Sequence, residues 1–91
     1  MEFEWDEGKA SSNSLKHGVT FDEAKTVFDD PLYVDFFDPE HSEMKPRYLI
    51  MGRSQANRLL IIAYTESASK TWLISARETT RRERRDYEEG L

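Results

Sequence analysis

Five consecutive apolar residues, Leu59-Leu60-Ile61-Ile62-Ala63, constrain the fold of this chain more than any other feature. The run is far too short to span a bilayer, which takes about 20 apolar residues as a helix. Turn-forming segments bracket it, Gln55-Ala56-Asn57 before and Ser67-Ala68-Ser69 after. It therefore reads as a central strand, Arg58 to Thr65, buried on both faces. A strand covered twice needs neighbouring strands beside it and other elements packed above and below. The 91 residues allow this once, as a single domain over residues 1–91. A chain of this size buries only about 60% of its unfolded surface, so nearly every large apolar side chain must join one core. Two Trp, five Phe and four Tyr supply it, and Trp5, Phe28, Leu60, Ile62 and Ile74 are expected to share it.

The rest of the chain punctuates cleanly. Phe3 to Trp5 reads as a short strand. Asp6 is an N-cap, Glu7 to His17 a helix, and Gly18 its left-handed stop. Thr20 and Glu23 have capping-box spacing and open a second helix with Phe21, Ala24, Val27 and Phe28 on one face, ended by Asp30-Pro31. Leu32 to Phe37 changes to strand character, and residues 38–43 form a polar connection. Tyr48 to Arg53 and Thr71 to Arg77 read as strands on either side of the central one. Thr80 and Glu83 make a second capping box, starting a helix that runs to about Glu89. The order βααβββ(β)α predicts an α+β fold, a mainly antiparallel sheet flanked by helices.

There is no cysteine, hence no disulfide or thiolate chemistry. The start, Met1-Glu2-Phe3-Glu4-Trp5, has neither the basic nor the apolar region of a secretion signal, so a cytoplasmic protein without membrane contact is expected. A net charge of −5 argues against a nucleic-acid partner, but its distribution argues the other way. Residues 1–45 carry twelve acids and four bases, residues 46–91 six acids and nine bases. Exposed charges beyond about 8–10 Å are screened at physiological salt, so local patches decide binding.

Two constellations stand out. Arg77, Arg81 and Arg85 recur at four-residue spacing where the last strand enters the last helix, beside a helix N-terminus that favours phosphate. The plainer reading is a solvated helix balanced by Glu83, Asp86, Glu88 and Glu89. Asp6, Lys9, Asn13 and His17 lie along one stripe of the first helix, an arrangement able to orient a phosphate and move a proton. The plainer reading there is a polar surface with His17 complementing the helix dipole. Asp38, Glu40, His41 and Glu43 match no metal-loop pattern and read as a solvated turn, and no metal or cofactor is expected. Trp5, Phe21, Phe28 and Trp72 read as core, while Tyr64 and Tyr87 have hydroxyls able to reach RNA from a groove edge.

In order along nearly the whole chain, the motifs resemble those of the BrnT toxins. They are Phe3-Glu4-Trp5-Asp6, Lys9, Asn13, Lys16-His17-Gly18-Val19, Phe21-Asp22-Glu23-Ala24, Val27-Phe28-Asp29-Asp30-Pro31, His41-Ser42, Arg47, Gly52, Ile74-Ser75-Ala76-Arg77, Glu83-Arg84 and Tyr87. The resemblance implies a compact RelE-like ribonuclease fold and metal-independent RNA cleavage that arrests translation. It also implies a neutralising antitoxin with a ribbon-helix-helix DNA-binding domain, operator DNA being reached only through that antitoxin. The chain departs from the family in carrying Trp72 where many relatives have Arg, and Lys45-Pro46 where an acidic or polar stretch is usual. On this resemblance Arg58, Arg77 and Arg81 are the expected donors to the phosphate, and His17 the proton-transfer group. Lys9, Asn13, Arg85 and Tyr87 are expected to bind the RNA. The rival class is a non-catalytic interaction module or co-repressor subunit that binds a partner or DNA.

Overall fold

The apolar run lies at the middle of the molecule. The computed structural model describes residues 1–42 and 44–90, and its sheet has five strands: β1 (Glu2–Glu4), β2 (Val34–Asp38), β3 (Arg47–Arg53), β4 (Leu59–Ser67) and β5 (Lys70–Glu78). Their spatial order is β1-β5-β4-β3-β2, every pairing antiparallel except β1 with β5. β4 is thus the central strand, and Leu59 to Tyr64 along it are all buried.

Successive β4 side chains point to opposite faces, so the run serves two cores. Leu60, Ile62 and Tyr64 face the helical layer of α1 (Glu7–His17) and α2 (Phe21–Ala24), packing with Val19, Phe21, Ala24, Val27, Ile50, Leu73 and Ala76. Leu59 and Ile61 face the other way and pack with Met51, covered by Leu49 and by Tyr87 of α3 (Arg81–Glu88). Trp5 and Phe28 join the first core at its margin. Ile74 lies outside that core cluster and is half-buried. The ladder explains why: Ala63 pairs with Ser75 and Tyr64 with Leu73, so Ile74 is the extra residue of a β-bulge. A bulge resets the inside–outside alternation that sequence reading relies on.

Local signals set most boundaries. Asp6 accepts the Lys9 N–H at 2.9 Å and starts α1, and Gly18, at φ 68°, donates its N–H to the Ser14 carbonyl and ends it. Thr20 caps α2, but the expected reciprocal bond from Glu23 is missing. The Glu23 carboxylate instead accepts from Arg58 and Ser54. After one turn α2 tightens into a 3-10 segment, Lys25–Asp29, with the Thr26 hydroxyl donating to the Glu23 carbonyl. Gly52 permits β3 to pass this segment, since a Cβ there would sit 2.9 Å from an Asp30 carboxylate oxygen. Asp30 then joins three elements: it accepts from the N–H groups of Leu32 and Arg53 and from the Tyr87 hydroxyl at 2.6 Å. At the other margin β2 leaves its outer edge open, with Phe36 and Phe37 both exposed.

A cationic cleft as candidate active site

Alternation along the strands decides what faces the open end of the sheet. Tyr48, Tyr64 and Leu73 pair side by side and point toward the first core. Arg47, Thr65 and Trp72, one position further along, therefore point to the opposite face. There they line a cleft of about 610 Å³. Asp6 and Lys9, from the start of α1, close one side, and Glu40, His41, Met44 and Lys45 of the β2–β3 connection close the other.

That connection is largely exposed, as its composition suggests, but its turn is held by side-chain hydrogen bonds. Asp38 ends β2, and one 3-10 turn later, Pro39–His41, His41 Nδ1 lies 2.9 Å from an Asp38 carboxylate oxygen. Ser42 fixes the same turn, its hydroxyl donating to the Asp38 carbonyl and accepting the Arg47 N–H at 2.8 Å. The Thr65 hydroxyl donates to the Pro46 carbonyl at 2.7 Å and ties the connection to β4. Asp38 is 14% exposed and His41 58%. The imidazole is thus anchored by one nitrogen, and Nε2 has no protein partner among the described residues. Such an arrangement selects a ring orientation and tautomer and leaves the second nitrogen to exchange a proton.

Around it stand Lys9, Lys45 and Arg47, none of which forms an ion pair among the described residues. Asp6 and Glu40 are the cleft's carboxylates, and Asp6 already caps α1. Three unpaired cations beside a held imidazole can bind a phosphodiester and stabilise charge that builds on its oxygens. Among the described residues no three His, Asp or Glu side chains converge as metal ligands would.

Of the residues expected from sequence to act in catalysis or RNA binding, the cleft gathers Lys9 alone, and Asp6 of the same helix stripe lines it too. Arg58 donates through Nε to Glu23 at 2.9 Å and through Nη2 to the Gly18 carbonyl at 3.0 Å, with Glu78 at 3.6 Å. The hydrogen bond from Arg58 holds the Glu23 carboxyl below the ordinary carboxylate range, even against its burial. Arg77 grips Glu83 with two bonds of 2.8 and 2.9 Å. Chiefly through that contact, Glu83 falls to about 2. Both arginines thus already have carboxylate partners within the fold.

Asn13 is buried, its amide donating to the Val19 and Ala76 carbonyls while its oxygen accepts the Ala76 N–H. It plugs the edge of β5 beyond the end of β1 and has no group left for RNA. Tyr87 gives its hydroxyl to Asp30, and burial with that bond pushes it up to about 12. His17 sits eight residues from Lys9, about 12 Å along α1, and does not line the cleft. Arg81 and Arg85 are exposed on α3, without ion pairs among the described residues.

Sequence reading did not propose His41, Lys45, Arg47 or Trp72, which line the cleft, or Asp38, which holds His41. The signals were the three-residue spacing of Asp38 and His41, which fits one tight turn, and the placement of His41-Ser42 and Arg47 among the family motifs.

A compact α+β domain with an open cationic cleft on one end of its sheet has the build of a protein that handles polyanions. A family model described as the ribonuclease toxin BrnT of type II toxin–antitoxin systems matches residues 5–83. The chain belongs to the BrnT family of ribonuclease toxins. The 1.1 Å crystal structure of the Brucella abortus ribonuclease toxin BrnT is similar, with a TM-score of 0.66 over 89% of this chain and 99% of that one. At 20% identity that likeness speaks for the fold. No curated protein matches the chain, and no helix of the described residues is long and apolar enough to cross a membrane.

Proposed function

We propose that the cleft cleaves RNA without a metal ion, by attack of a ribose 2′-oxygen on the adjacent phosphorus. The observation that carries this is the Asp38–His41 pair set among Lys9, Lys45 and Arg47. In the step, neutral His41 takes the 2′-hydroxyl proton at Nε2 while Asp38 holds Nδ1–H, which stabilises the imidazolium that forms. The 2′-oxygen bonds to phosphorus as the bond to the 5′-oxygen breaks, leaving a 2′,3′-cyclic phosphate and a 5′-hydroxyl. The guanidinium of Arg47 and the ammonium of Lys45 balance charge on the non-bridging oxygens. Lys9 is the cleft's ammonium on a rigid element, and it donates the proton that the departing 5′-oxygen requires. Arg81 and Arg85, exposed on α3, are available to follow the RNA backbone beyond the cleft.

Family membership supports the wider setting, in which cleavage arrests translation in the cytoplasm and a protein antitoxin neutralises the enzyme. The antitoxin carries a ribbon-helix-helix domain and brings operator DNA to the pair, an expectation that rests on the resemblance. The test is cleavage of RNA by purified protein in excess EDTA. We expect cyclic-phosphate ends and a rate that His41→Gln lowers by ~10²–10⁴. Loss of cleavage on chelation, or full activity in His41→Gln, would sink this mechanism.

A further inference from the structure

The two tryptophans of the chain are treated in opposite ways. Trp5 packs edge-on against Phe21, ring centres 5.8 Å apart, and its Nε1 donates to Glu7 at 2.9 Å. Trp72 has neither an aromatic neighbour nor a hydrogen bond from Nε1 among the described residues, and it is 38% exposed. Its strand neighbours add no aromatic partner. Thr65 on β4 is small, and Glu4 on β1 reaches back to Lys70 at 3.5 Å. An indole more than a third exposed in a cleft forgoes part of the burial that would normally stabilise so large an apolar group. Around it, within the same cleft, lie Lys9, Lys45, Arg47 and His41.

We infer that Trp72 is a stacking platform for an unpaired nucleobase beside the scissile phosphate, so that the substrate is single-stranded RNA. This rests on the ribonuclease reading above and adds to it the form the RNA must take. Aromatic faces stack bases of any sequence, and neighbouring cations hold the backbone, the two parts of a single-strand binding groove. Bases inside a duplex have both faces occupied and cannot use the indole. A base drawn out of a helical stack also frees its ribose to turn the 2′-oxygen in line with phosphorus, the geometry the reaction needs.

The experiment compares the wild type with Trp72→Phe, which keeps a π-face, and Trp72→Leu, which keeps only apolar bulk. The probe is a random-sequence 2′-O-methyl RNA dodecamer, uncleavable because its nucleophile is capped, offered single-stranded and as a duplex. Trp72→Leu should weaken single-strand binding by roughly 5- to 100-fold, with Trp72→Phe close to wild type and duplex binding equal in all three. On cleavable RNA, Trp72→Leu should raise KM more than it lowers kcat. Its loss should be similar at every salt concentration, whereas Lys45→Ala should flatten the salt slope. Leu and Phe variants that bind alike, or a wild type that takes duplex as readily as single strand, would overturn the stacking role while leaving cleavage by His41 intact. A wild type that neither binds nor cleaves RNA would remove the ribonuclease reading and this inference with it.

Discussion

The molecule has two basic regions, one at α3 and one at the cleft, and they are built on opposite plans. At the α3 end Arg77 is locked to Glu83, Thr80 closes a capping box with the same carboxylate, and Tyr87 is tied to Asp30. At the cleft end Lys9, Lys45 and Arg47 have no such partners among the described residues, and the one organised pair is a carboxylate holding an imidazole. Density of positive charge along the chain is higher at the first end. Arg81 and Arg85 stay exposed at the first end, but among the described residues only the second sets cations without ion pairs beside a held imidazole. A charged residue serves a ligand only if the fold has not already claimed it.

The sharpest way to break this contrast is to swap histidines. His41→Gln should lower cleavage by ~10²–10⁴ and move stability by less than about 0.5 kcal/mol, as exposed sites do. His17→Gln should leave the rate unchanged. Parallel assays of rate and melting temperature decide it, and the reverse result would return proton transfer to α1.

Next in size is Arg77→Met. Because Arg77 is 40% exposed and Glu83 26%, solvent weakens their attraction, and we expect a loss of about 1–2 kcal/mol in urea unfolding. Cleavage per folded molecule should persist. Abolished activity in a fully folded Arg77→Met protein would give that residue back to the site.

Acid gives a finer probe of the same pair. Folded Glu83 titrates near 2 against an ordinary 4.5, so the native state favours its ionised form. That stabilisation is complete above about pH 4.5 and drains away as pH falls toward 2. Glu83→Gln should therefore melt below the wild type at pH 7, and the two curves should converge between pH 5 and pH 2. Parallel curves throughout would mean that the pair contributes nothing. The smallest effect belongs to Arg85→Ala, within about 0.5 kcal/mol in stability and about 0.7 in the salt slope of single-strand binding.

What the sequence made legible follows the range of the interactions. Helix α1, with its Asp6 cap and Gly18 stop, the two hairpins and the doubly buried β4 are written in neighbouring residues. Ile74 was misplaced because a bulge is a property of two paired strands. The second capping box formed and the first did not, because Glu23 found Arg58, 35 positions away, a better partner. The cleft was illegible for the same reason. It joins the start of α1, a polar connection near residue 40 and the outer face of β5, brought together only when β1 pairs in parallel with β5. The α1 stripe of Asp6, Lys9, Asn13 and His17 was real as geometry. Yet its first turn meets the cleft, its middle turns inward to β5 and its end does neither.

The open edge of β2 has a consequence for how this protein behaves in concentrated solution. Sheet edges usually carry lysines or prolines that discourage strand-to-strand association between molecules. From residue 26 to residue 44 there is no Lys or Arg, and β2 itself reads Val-Asp-Phe-Phe-Asp with both phenylalanines exposed. Repulsion among the aspartates is the remaining barrier to self-assembly. High salt screens it and acid removes it, so turbidity should appear first under those conditions. A Phe37→Lys substitution, placing a cation on the rim, should keep the solution clear.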